Sequence, residues 1–382
     1  MISFISHVVF LFFLVVPFHC SVTVNDDAKS VFENFKLLLN DMVGNDAVEA
    51  VTRLREESFT QVRSENYVNY IHMFLISEVL YFIQIIHLTD AMSARNHRED
   101  SDPTPVVQMH GMGDFANDPF GMVPLAEAIS DYLGGAYVLN VQIGDTNLED
   151  IMNGFIMNLD DQVDYFANVI QNDTHLTNGF NAIGYSQGNL VIRGYIERYN
   201  NPPIMNFISM HGPLAGVGGF PGCSIDTLLC RAFAELLGKF AYLPFIQEHL
   251  TQSNYYRDPL KIPDYLNGNH YLVDINNENS TQENIQYNEN YKLNWCTLNS
   301  ICLVKALKDT IVIPNESEWF GYFNDGNFNE ILKFNETSWY INDLYGLYTL
   351  NTMEHVYFNI TNENHLDFST DYLLDLVGIY FT

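Results

Sequence analysis

Residues 182–190 are Ala-Ile-Gly-Tyr-Ser-Gln-Gly-Asn-Leu. An apolar run beginning at Phe180 leads into this stretch and predicts a buried strand, and apolar residues at helical spacing continue to Ile196. Between the two, residues 184–188 form a G-x-S-x-G sequence, which in a nucleophile elbow makes a sharp strand-to-helix turn. A bare G-x-S-x-G is common, so the inference depends on its flanking elements. They predict that Ser186 is exposed at this turn as a nucleophile.

The segments on either side alternate between strand and helix patterns. The other predicted strands are Val106–Met109, Ala136–Val141, Ile204–Met210, Ile301–Leu307 and Val356–Ile360. The other predicted helices are Pro124–Leu133, residues 159–170 and Thr370–Tyr380. Such alternation is typical of a mostly parallel sheet with helices on both faces. We therefore predict an α/β class protein with the α/β-hydrolase fold over residues 103–382.

One long segment interrupts this alternation. Residues 213–295 begin with closely spaced glycines and prolines, continue through an apolar helical stretch at Leu228–Leu250, and end in an Asn- and Glu-rich segment at 274–292. An insertion at this point could supply a cap or the walls of an acyl-binding pocket. It could equally be an enlarged loop region. The residues leave both interpretations open.

The first 102 residues differ from the rest of the chain. Residues 1–20 contain an apolar run that ends at Val16 and is too short to span a bilayer, which predicts a secretory signal peptide cleaved near Cys20. Residues 21–102 have helical periodicity and predict a helical extension of unknown role. Their apolar stretch Tyr67–Leu88 contains charged and polar residues, which favours a packed helix over a membrane span.

Cysteines and sequons agree with export. Removal of the signal peptide would leave an even number of cysteines, which predicts two disulfides with three possible connectivities. The most local pairing joins Cys223 to Cys230 and Cys296 to Cys302. Glycosylation sequons favour a luminal or secreted glycoprotein. These lie at Asn172, Asn279, Asn315, Asn335 and Asn359.

The chain is strongly acidic, with 17 Lys and Arg against 47 Asp and Glu and a formal net charge of −30. Such a surface repels nucleic-acid backbones and anionic lipid headgroups, so nucleic acid is not an expected partner. The sequence contains no H-E-x-x-H, Walker loop or strand-linked G-x-G-x-x-G motif. It therefore predicts neither a metal nor a cofactor.

Hydrolases of this fold place nucleophile, acid and base in that chain order, each just past the carboxyl end of a strand. Ser186, Asp309 and His365 satisfy both conditions. The chemistry needs a hydroxyl, an imidazole that accepts its proton, and a carboxylate that fixes the imidazole tautomer. Other histidines and acids occupy less suitable positions, at His355, His211, His249, His270, Asp325, Asp343 and Glu318. The three residues are therefore the predicted triad.

An oxyanion hole needs two backbone N–H groups that point at the developing charge. One is predicted from Gln187, directly after the nucleophile. The other is predicted from Met112, in the loop His110-Gly111-Met112-Gly113-Asp114 that follows the first strand. Glycines in this loop permit the backbone to approach a substrate closely.

Several separate stretches resemble the palmitoyl-protein thioesterase family. They are Val-Gln-Met-His-Gly-Met-Gly-Asp (107–114), Asn-Ala-Ile-Gly-Tyr-Ser-Gln-Gly (181–188), Asp-Pro-Leu-Lys (258–261), Asn-His-Tyr-Leu-Val-Asp-Ile-Asn (269–276), Ser-Glu-Trp-Phe-Gly-Tyr (317–322) and Asn-His-Leu (364–366). The resemblance implies a lysosomal depalmitoylating enzyme in which the same residues form the triad and the oxyanion hole. This chain departs from the family in having Asn189 where a second glycine is common, in lacking cysteines near the 110–114 loop, and in carrying the 21–102 segment.

The residues and the resemblance together predict hydrolysis of long-chain fatty acyl thioesters. The expected substrates and partners are S-palmitoylated proteins or peptides and other acyl thioesters. The triad itself fits a lipase or carboxylesterase acting on oxygen esters equally well. Two further alternatives are a catalytically silent binding protein of the same fold and a membrane-tethered protein anchored at Tyr67–Leu88.

Overall fold

The computed structural model describes residues 103–219, 238–278 and 288–382. In these ranges the strands are β1 (Val106–Met109), β2 (Val138–Asn140), β3 (Phe180–Tyr185), β4 (Ile204–Met210), β5 (Ser300–Ala306), β6 (Tyr322–Phe323), β7 (Ile331–Leu332) and β8 (Val356–Thr361). Six of them form one parallel sheet in the order β2-β1-β3-β4-β5-β8. The remaining two, β6 and β7, form an antiparallel ribbon.

Helices connect the strands and cover the sheet. The α-helices of the described ranges are α1 (Met122–Tyr132), α2 (Asn147–Ile156), α3 (Leu159–Asn172), α4 (Gly188–Arg198), α5 (Pro244–His249), α6 (Ile262–Gly268), α7 (Leu272–Ile275), α8 (Glu289–Trp295), α9 (Ser338–Ile341), α10 (Leu347–Thr352) and α11 (Thr370–Tyr380). Short 3-10 helices lie at Thr174–Leu176, Thr251–Tyr255, Asn315–Trp319 and Phe334–Glu336.

The central strands of the sheet are buried on both faces. Every residue of β1 and β3 is buried, and successive side chains enter two separate cores. Val106 and Ile183 belong to the core shared with α1 and α11, whereas Val107 and Ala182 belong to the core shared with α3 and α4. Because both faces are covered, these strands are mostly apolar in the sequence and do not alternate between apolar and polar residues.

The predicted α/β architecture is confirmed. Strands β1 and β4 and helix α11 have the predicted bounds, and the other predicted strands and α1 differ by one or two residues at their ends. Helix α2 was not predicted, although its Thr146-Asn147-Leu148-Glu149 start is a capping box in which Thr146 and Glu149 each accept the other's backbone N–H.

The insertion is only partly helical. Of the predicted helical stretch Leu228–Leu250, the structure describes residues 238–250, where a turn at 241–243 precedes the short helix α5. Proline at position 244 starts this helix because its ring cannot lie inside one. The prediction of one continuous helix over Leu228–Leu250 is therefore wrong for residues 238–250.

Several predictions fall outside the described residues. These are the signal peptide at 1–20, the extension at 21–102 with its stretch 67–88, the cysteines at 223 and 230, and the sequon at 279. Within the described ranges, no helix has the length and apolar character needed to cross a membrane.

The local Cys296–Cys302 disulfide is wrong, since both residues are free thiols. Cys296 follows α8, whose Trp295 packs in the core on one face of the sheet. Cys302 lies in β5 and faces the other core, where its Sγ accepts a hydrogen bond of 3.2 Å from Nδ2 of Asn359. The two thiols are therefore on opposite faces of the sheet, despite their closeness in sequence.

The structure separates the sequons into two groups. Asn172 and Asn335 are exposed, and their glycosylation stays a prediction. Nδ2 of Asn359, the atom that would carry a glycan, donates to the Cys302 thiol at 3.2 Å and to the Tyr380 hydroxyl at 3.1 Å, and glycosylation at this position stays a prediction. Asn315 is half-buried, its Nδ2 donates to the Ala306 carbonyl oxygen at 2.9 Å, and its glycosylation also stays a prediction.

The strand order fixes where a site can form. After β1 the chain moves outward to β2 and then returns to the opposite side of β1 as β3. Loops leaving the carboxyl ends of β1 and β3 consequently diverge, which opens a crevice at this switch point. Residues 110–114 follow β1, and Ser186 follows β3.

Candidate active site

The turn between β3 and α4 holds Ser186 in an unusual backbone conformation. Its φ is +51°, in the left-handed region that L-residues other than glycine, asparagine and aspartate rarely adopt. The Ser186 N–H donates to the Met210 carbonyl oxygen at 3.0 Å, which ties the turn to the end of β4. Such strain persists only where the surroundings enforce it, and it is typical of functional sites.

Glycines permit the close packing of this turn. A Cβ at Gly188 would clash with the carbonyl oxygens of Met109 and His110, at the end of β1. A Cβ at Gly184 would clash with the side chain of Asn189. The first helical turn of α4 therefore lies directly against the strand that carries the 110–114 loop.

We expect Gly188→Ala to destabilise the protein by roughly 1–3 kcal/mol or more, because backbone oxygens cannot move aside as a side chain can. Gly154→Ala is the matched control, since a Cβ in this helix would make only ordinary contacts, the nearest at 3.5 Å. Alanine there should leave the free energy of unfolding unchanged or raise it by about 0.5–1 kcal/mol. Urea unfolding of both variants measures the difference, and equal stabilities would contradict the packing described.

The predicted triad residues meet at the carboxyl edge of the sheet. The Ser186 Oγ lies 2.8 Å from Nε2 of His365, and Nδ1 of the same ring lies 2.6 Å from Oδ2 of Asp309. Both distances are hydrogen-bond distances, and the two ring nitrogens serve different partners. With the proton on Nδ1 facing the carboxylate, Nε2 is free to accept the serine proton.

Asp309 is held as a carboxylate. Its Oδ1 accepts the backbone N–H groups of Ile311 at 2.6 Å and Val312 at 2.8 Å, while Oδ2 faces His365. Burial alone would raise the pKa of Asp309, but hydrogen bonds from His365, Glu318 and Val312 and the charge of His365 outweigh it and lower the pKa to about 2. The acid therefore remains ionised in a mildly acidic compartment.

Two neighbours position the loop that carries His365. Oδ1 of Asn364 accepts the Thr310 N–H at 3.0 Å, which joins the loop after β8 to the loop after β5. Nδ1 of His211, at the end of β4, accepts the Leu366 N–H at 2.9 Å. Burial, followed by the charge of His365, lowers the pKa of His211 to about 3, so this ring stays neutral and keeps its acceptor.

The predicted oxyanion donors are available for a ligand. Within the described ranges, neither the Met112 N–H nor the Gln187 N–H has a hydrogen-bond acceptor. Gln187 precedes α4, so its N–H also lies at the positive end of that helix. These two N–H groups are the kind of preorganised donors that stabilise a tetrahedral oxyanion.

Residues of the insertion hold both donors from behind. Gln187 Nε2 donates to the Gly154 carbonyl oxygen at 3.0 Å, and its Oε1 accepts from the Tyr255 hydroxyl at 3.1 Å. Nε2 of Gln252 lies 2.9 Å from the Met112 Sδ and 3.3 Å from the Gln187 Oε1. The 3-10 helix at 251–255 therefore supports the oxyanion side of the site, which favours a structural role for this part of the insertion over a plain loop.

A buried ion pair lies beneath the 110–114 loop. Nε2 of His110 is 2.9 Å from Oδ1 of Asp150, and both side chains are almost fully buried. Burial lowers the pKa of His110, but the charge and hydrogen bond of Asp150 reverse this and raise it to about 9. The resulting imidazolium also donates from Nδ1 to the Gly111 carbonyl oxygen at 3.0 Å, so the ion pair ties the 110–114 loop to α2.

Among the described residues, Asp309, Glu318 and His365 form one group whose donor atoms lie within 4.8 Å of one another. The His365 nitrogen that faces this group is the one hydrogen-bonded to Asp309 at 2.6 Å. The geometry is that of a hydrogen-bonded chain, since a metal at this point would need Nδ1 as a ligand and would break that bond.

The competing histidines and acids lie elsewhere or have other partners. His355 bonds the Leu298 carbonyl at the opposite end of the sheet. His249 bonds within α5, and His270 lies in the insertion. Asp325 pairs with Arg257 and Asp343 with Lys292. Sequence reasoning did not anticipate the contributions of His211, Asn364 and Glu318, which depend on contacts between distant loops.

A parallel sheet with a nucleophile elbow at its switch point, and with an acid and a histidine after later strands, defines the class of α/β-hydrolases. A profile of the family described as palmitoyl protein thioesterase matches residues 105–365. The chain belongs to this family.

Curated relatives agree with the family assignment. Palmitoyl-protein thioesterase 1 of Caenorhabditis elegans is 36% identical over 76% of this chain and 96% of its own length. Palmitoyl-protein thioesterase 3 of Dictyostelium discoideum is 36% identical over 73% of this chain and 89% of its own. A more distant relative, the lysosomal thioesterase PPT2 homolog of Drosophila melanogaster, is 27% identical over 64% of this chain and 80% of its own.

Proposed function

We propose that this chain hydrolyses long-chain fatty acyl thioesters, chiefly by removing palmitate from S-acylated cysteines of proteins or peptides. The observation that carries the proposal is the contact of 2.8 Å between Ser186 and His365, at the switch point of a chain that belongs to the palmitoyl protein thioesterase family. Relatives named palmitoyl-protein thioesterase support the substrate class.

In the first half-reaction the serine is acylated. Nε2 of His365 accepts the Ser186 hydroxyl proton while Oγ attacks the thioester carbonyl carbon. The carbonyl oxygen becomes an oxyanion, and the N–H groups of Met112 and Gln187 stabilise it. When the tetrahedral intermediate collapses, the carbon–sulfur bond breaks and the imidazolium returns its proton to the departing sulfur. Asp309 stabilises that imidazolium and keeps its tautomer fixed.

In the second half-reaction water releases the fatty acid. His365 takes a proton from water, and the resulting hydroxide attacks the acyl carbon of the serine ester. The same oxyanion donors act again, and collapse breaks the bond to Oγ, which recovers its proton from His365. Fatty acid and free Ser186 result, so this reaction needs no redox partner.

Thioester preference separates the proposal from its nearest alternative. We expect the purified chain to hydrolyse a palmitoyl-cysteine peptide with a higher kcat/KM than the same peptide carrying palmitate on serine, because a thiolate is the better leaving group and the family acts on thioesters. Equal or faster hydrolysis of the oxygen ester would instead identify a lipase or carboxylesterase. Turnover of neither peptide would support a silent binding protein.

Several features support the same subcellular location. A predicted signal peptide at 1–20, exposed sequons at Asn172 and Asn335, and a relative named as lysosomal favour the lysosome lumen or the secreted space. Asp309, with its pKa of about 2, would remain charged at the acidic pH of such a lumen. The hydrolase domain would then be residues 103–382, and 21–102 a separate segment.

A further inference from the structure

A second carboxyl group lies behind Asp309. Glu318 is in the 3-10 helix Asn315–Trp319, which packs against β5. Its side chain is fully buried, and Oε2 accepts the Ala306 N–H at 2.7 Å at the end of that strand. The loop that carries Asp309 begins directly after Ala306. Glu318 therefore contacts the chain where β5 ends and this loop begins.

The other oxygen of Glu318 requires an explanation. Oε1 is buried, and among the described residues it has no hydrogen-bond partner if the group is an ionised carboxylate, which can only accept. Oxygens of Glu318 and Asp309 and a His365 nitrogen lie within 4.8 Å of one another. An ionised Glu318 would place two negative charges side by side in a buried site and leave an oxygen unsatisfied, both of which are costly.

A proton on Glu318 removes both costs. Asp309 already has the more favourable surroundings for a charge, with two backbone N–H groups on Oδ1 and His365 on Oδ2. Burial, and then the hydrogen bond and charge of Asp309, hold the pKa of Glu318 well above its usual range. The positive charge of Lys305, on β5, lowers the pKa of Glu318 only weakly. The Lys305 ammonium pairs with Glu316 at 3.8 Å and lies over the Trp319 ring.

We propose that Glu318 is a neutral carboxylic acid in the resting protein, that it donates its Oε1 proton to Asp309, and that it positions the Asp309 carboxylate toward His365. As an additional donor, it helps to fix the carboxylate orientation. Because it carries no charge, it does not strengthen the negative field at His365. Glu318 is a positioning residue and does not contact the reacting atoms.

The variants Glu318→Gln and Glu318→Leu distinguish hydrogen-bond donation to Asp309 from an effect of charge on Glu318. Glutamine keeps an acceptor for the Ala306 N–H and a neutral donor for Asp309, so we expect kcat within about threefold of the wild type and an unchanged acidic limb of the kcat/KM pH profile. Leucine removes the donor, and we expect kcat to fall about 10- to 100-fold with KM little changed. Glu127→Gln, at an exposed position of α1, is the control and should leave both parameters unchanged.

Two kinetic results would overturn the proposal. An acidic limb of the kcat/KM pH profile that moves to lower pH in Glu318→Gln would show that Glu318 is charged in the wild type. A loss of activity in Glu318→Gln as large as in Glu318→Leu would show that donation to Asp309 is not its role. The glutamine variant decides the matter even if the leucine variant does not fold.

Stability gives a readout that does not depend on turnover. Folded Glu318 keeps its proton, whereas the unfolded residue releases it near its usual pKa, so the folded state loses relative stability as pH rises above about 4.5. Glutamine does not titrate, and the Tm of Glu318→Gln relative to wild type should therefore increase from pH 4 to pH 7. A constant difference would overturn the neutral state. The kinetic arm rests on the proposed function, and absence of wild-type turnover would refute that function while leaving the stability arm informative.

Discussion

Replacing Ser186 with alanine is expected to lower kcat for a palmitoyl thioester by ~10⁴-fold or more. The change deletes the only atom that forms the acyl-enzyme bond, and the remaining oxyanion donors cannot supply a nucleophile. Alanine pays the same backbone cost as serine at φ +51°, because both carry a Cβ, so the turn itself should persist.

The measurement is steady-state hydrolysis of a palmitoyl-cysteine peptide by wild type and variant, with urea unfolding as the test of folding. Ser338→Ala is a matched control, since Ser338 is exposed at the start of α9. It should behave as wild type in both assays. Near-full activity of a folded Ser186→Ala protein would show that another group is the nucleophile.

Asp309→Asn is expected to lower kcat by about 10⁴-fold while the fold is retained. The new carboxamide can still accept the N–H groups of Ile311 and Val312 through its oxygen. Its nitrogen then faces Nδ1 of His365 as a donor. The ring must respond by placing its proton on Nε2, where it can no longer accept the proton of Ser186.

Kinetics across pH distinguish this tautomer effect from a loss of structure. The defect should persist over the neutral range, with an unfolding midpoint in urea close to that of wild type. Asp367→Asn is the matched control, because Asp367 is exposed two residues beyond His365, and it should keep wild-type kcat. Asp309→Asn activity within tenfold of wild type would mean that a different carboxylate orients the histidine.

The sequence was a good guide to the sheet because burial on both faces leaves a strong pattern. Strands β1 and β4 are predominantly apolar and have the predicted bounds. Helix α2 escaped prediction although half of its residues are apolar, because its buried face is not uniformly apolar. Two of its buried positions are Asp150, which serves the His110 pair, and Gly154, which packs behind Met112.

The triad could be predicted because its position follows from the order of strands along the chain. Triad candidates come directly after strands, and parallel strands bring their carboxyl ends to one edge. Chain order does not predict the roles of Glu318 and His211. Each of these side chains contacts a loop that lies more than eight residues away from it in sequence. The Cys296–Cys302 pairing failed for a different reason, because closeness in sequence did not reveal that the two thiols lie on opposite faces of the sheet.

The central claim is that Ser186 is the acyl-accepting nucleophile, and covalent labelling tests it most directly. Wild-type protein is treated with a long-chain alkyl fluorophosphonate, and the adduct is located by peptide mass mapping. We expect one adduct, on Ser186, with thioesterase activity lost in proportion to labelling and with protection by a palmitoyl thioester. Fully labelled protein that retains activity, or an adduct on another residue that abolishes it, would contradict the account.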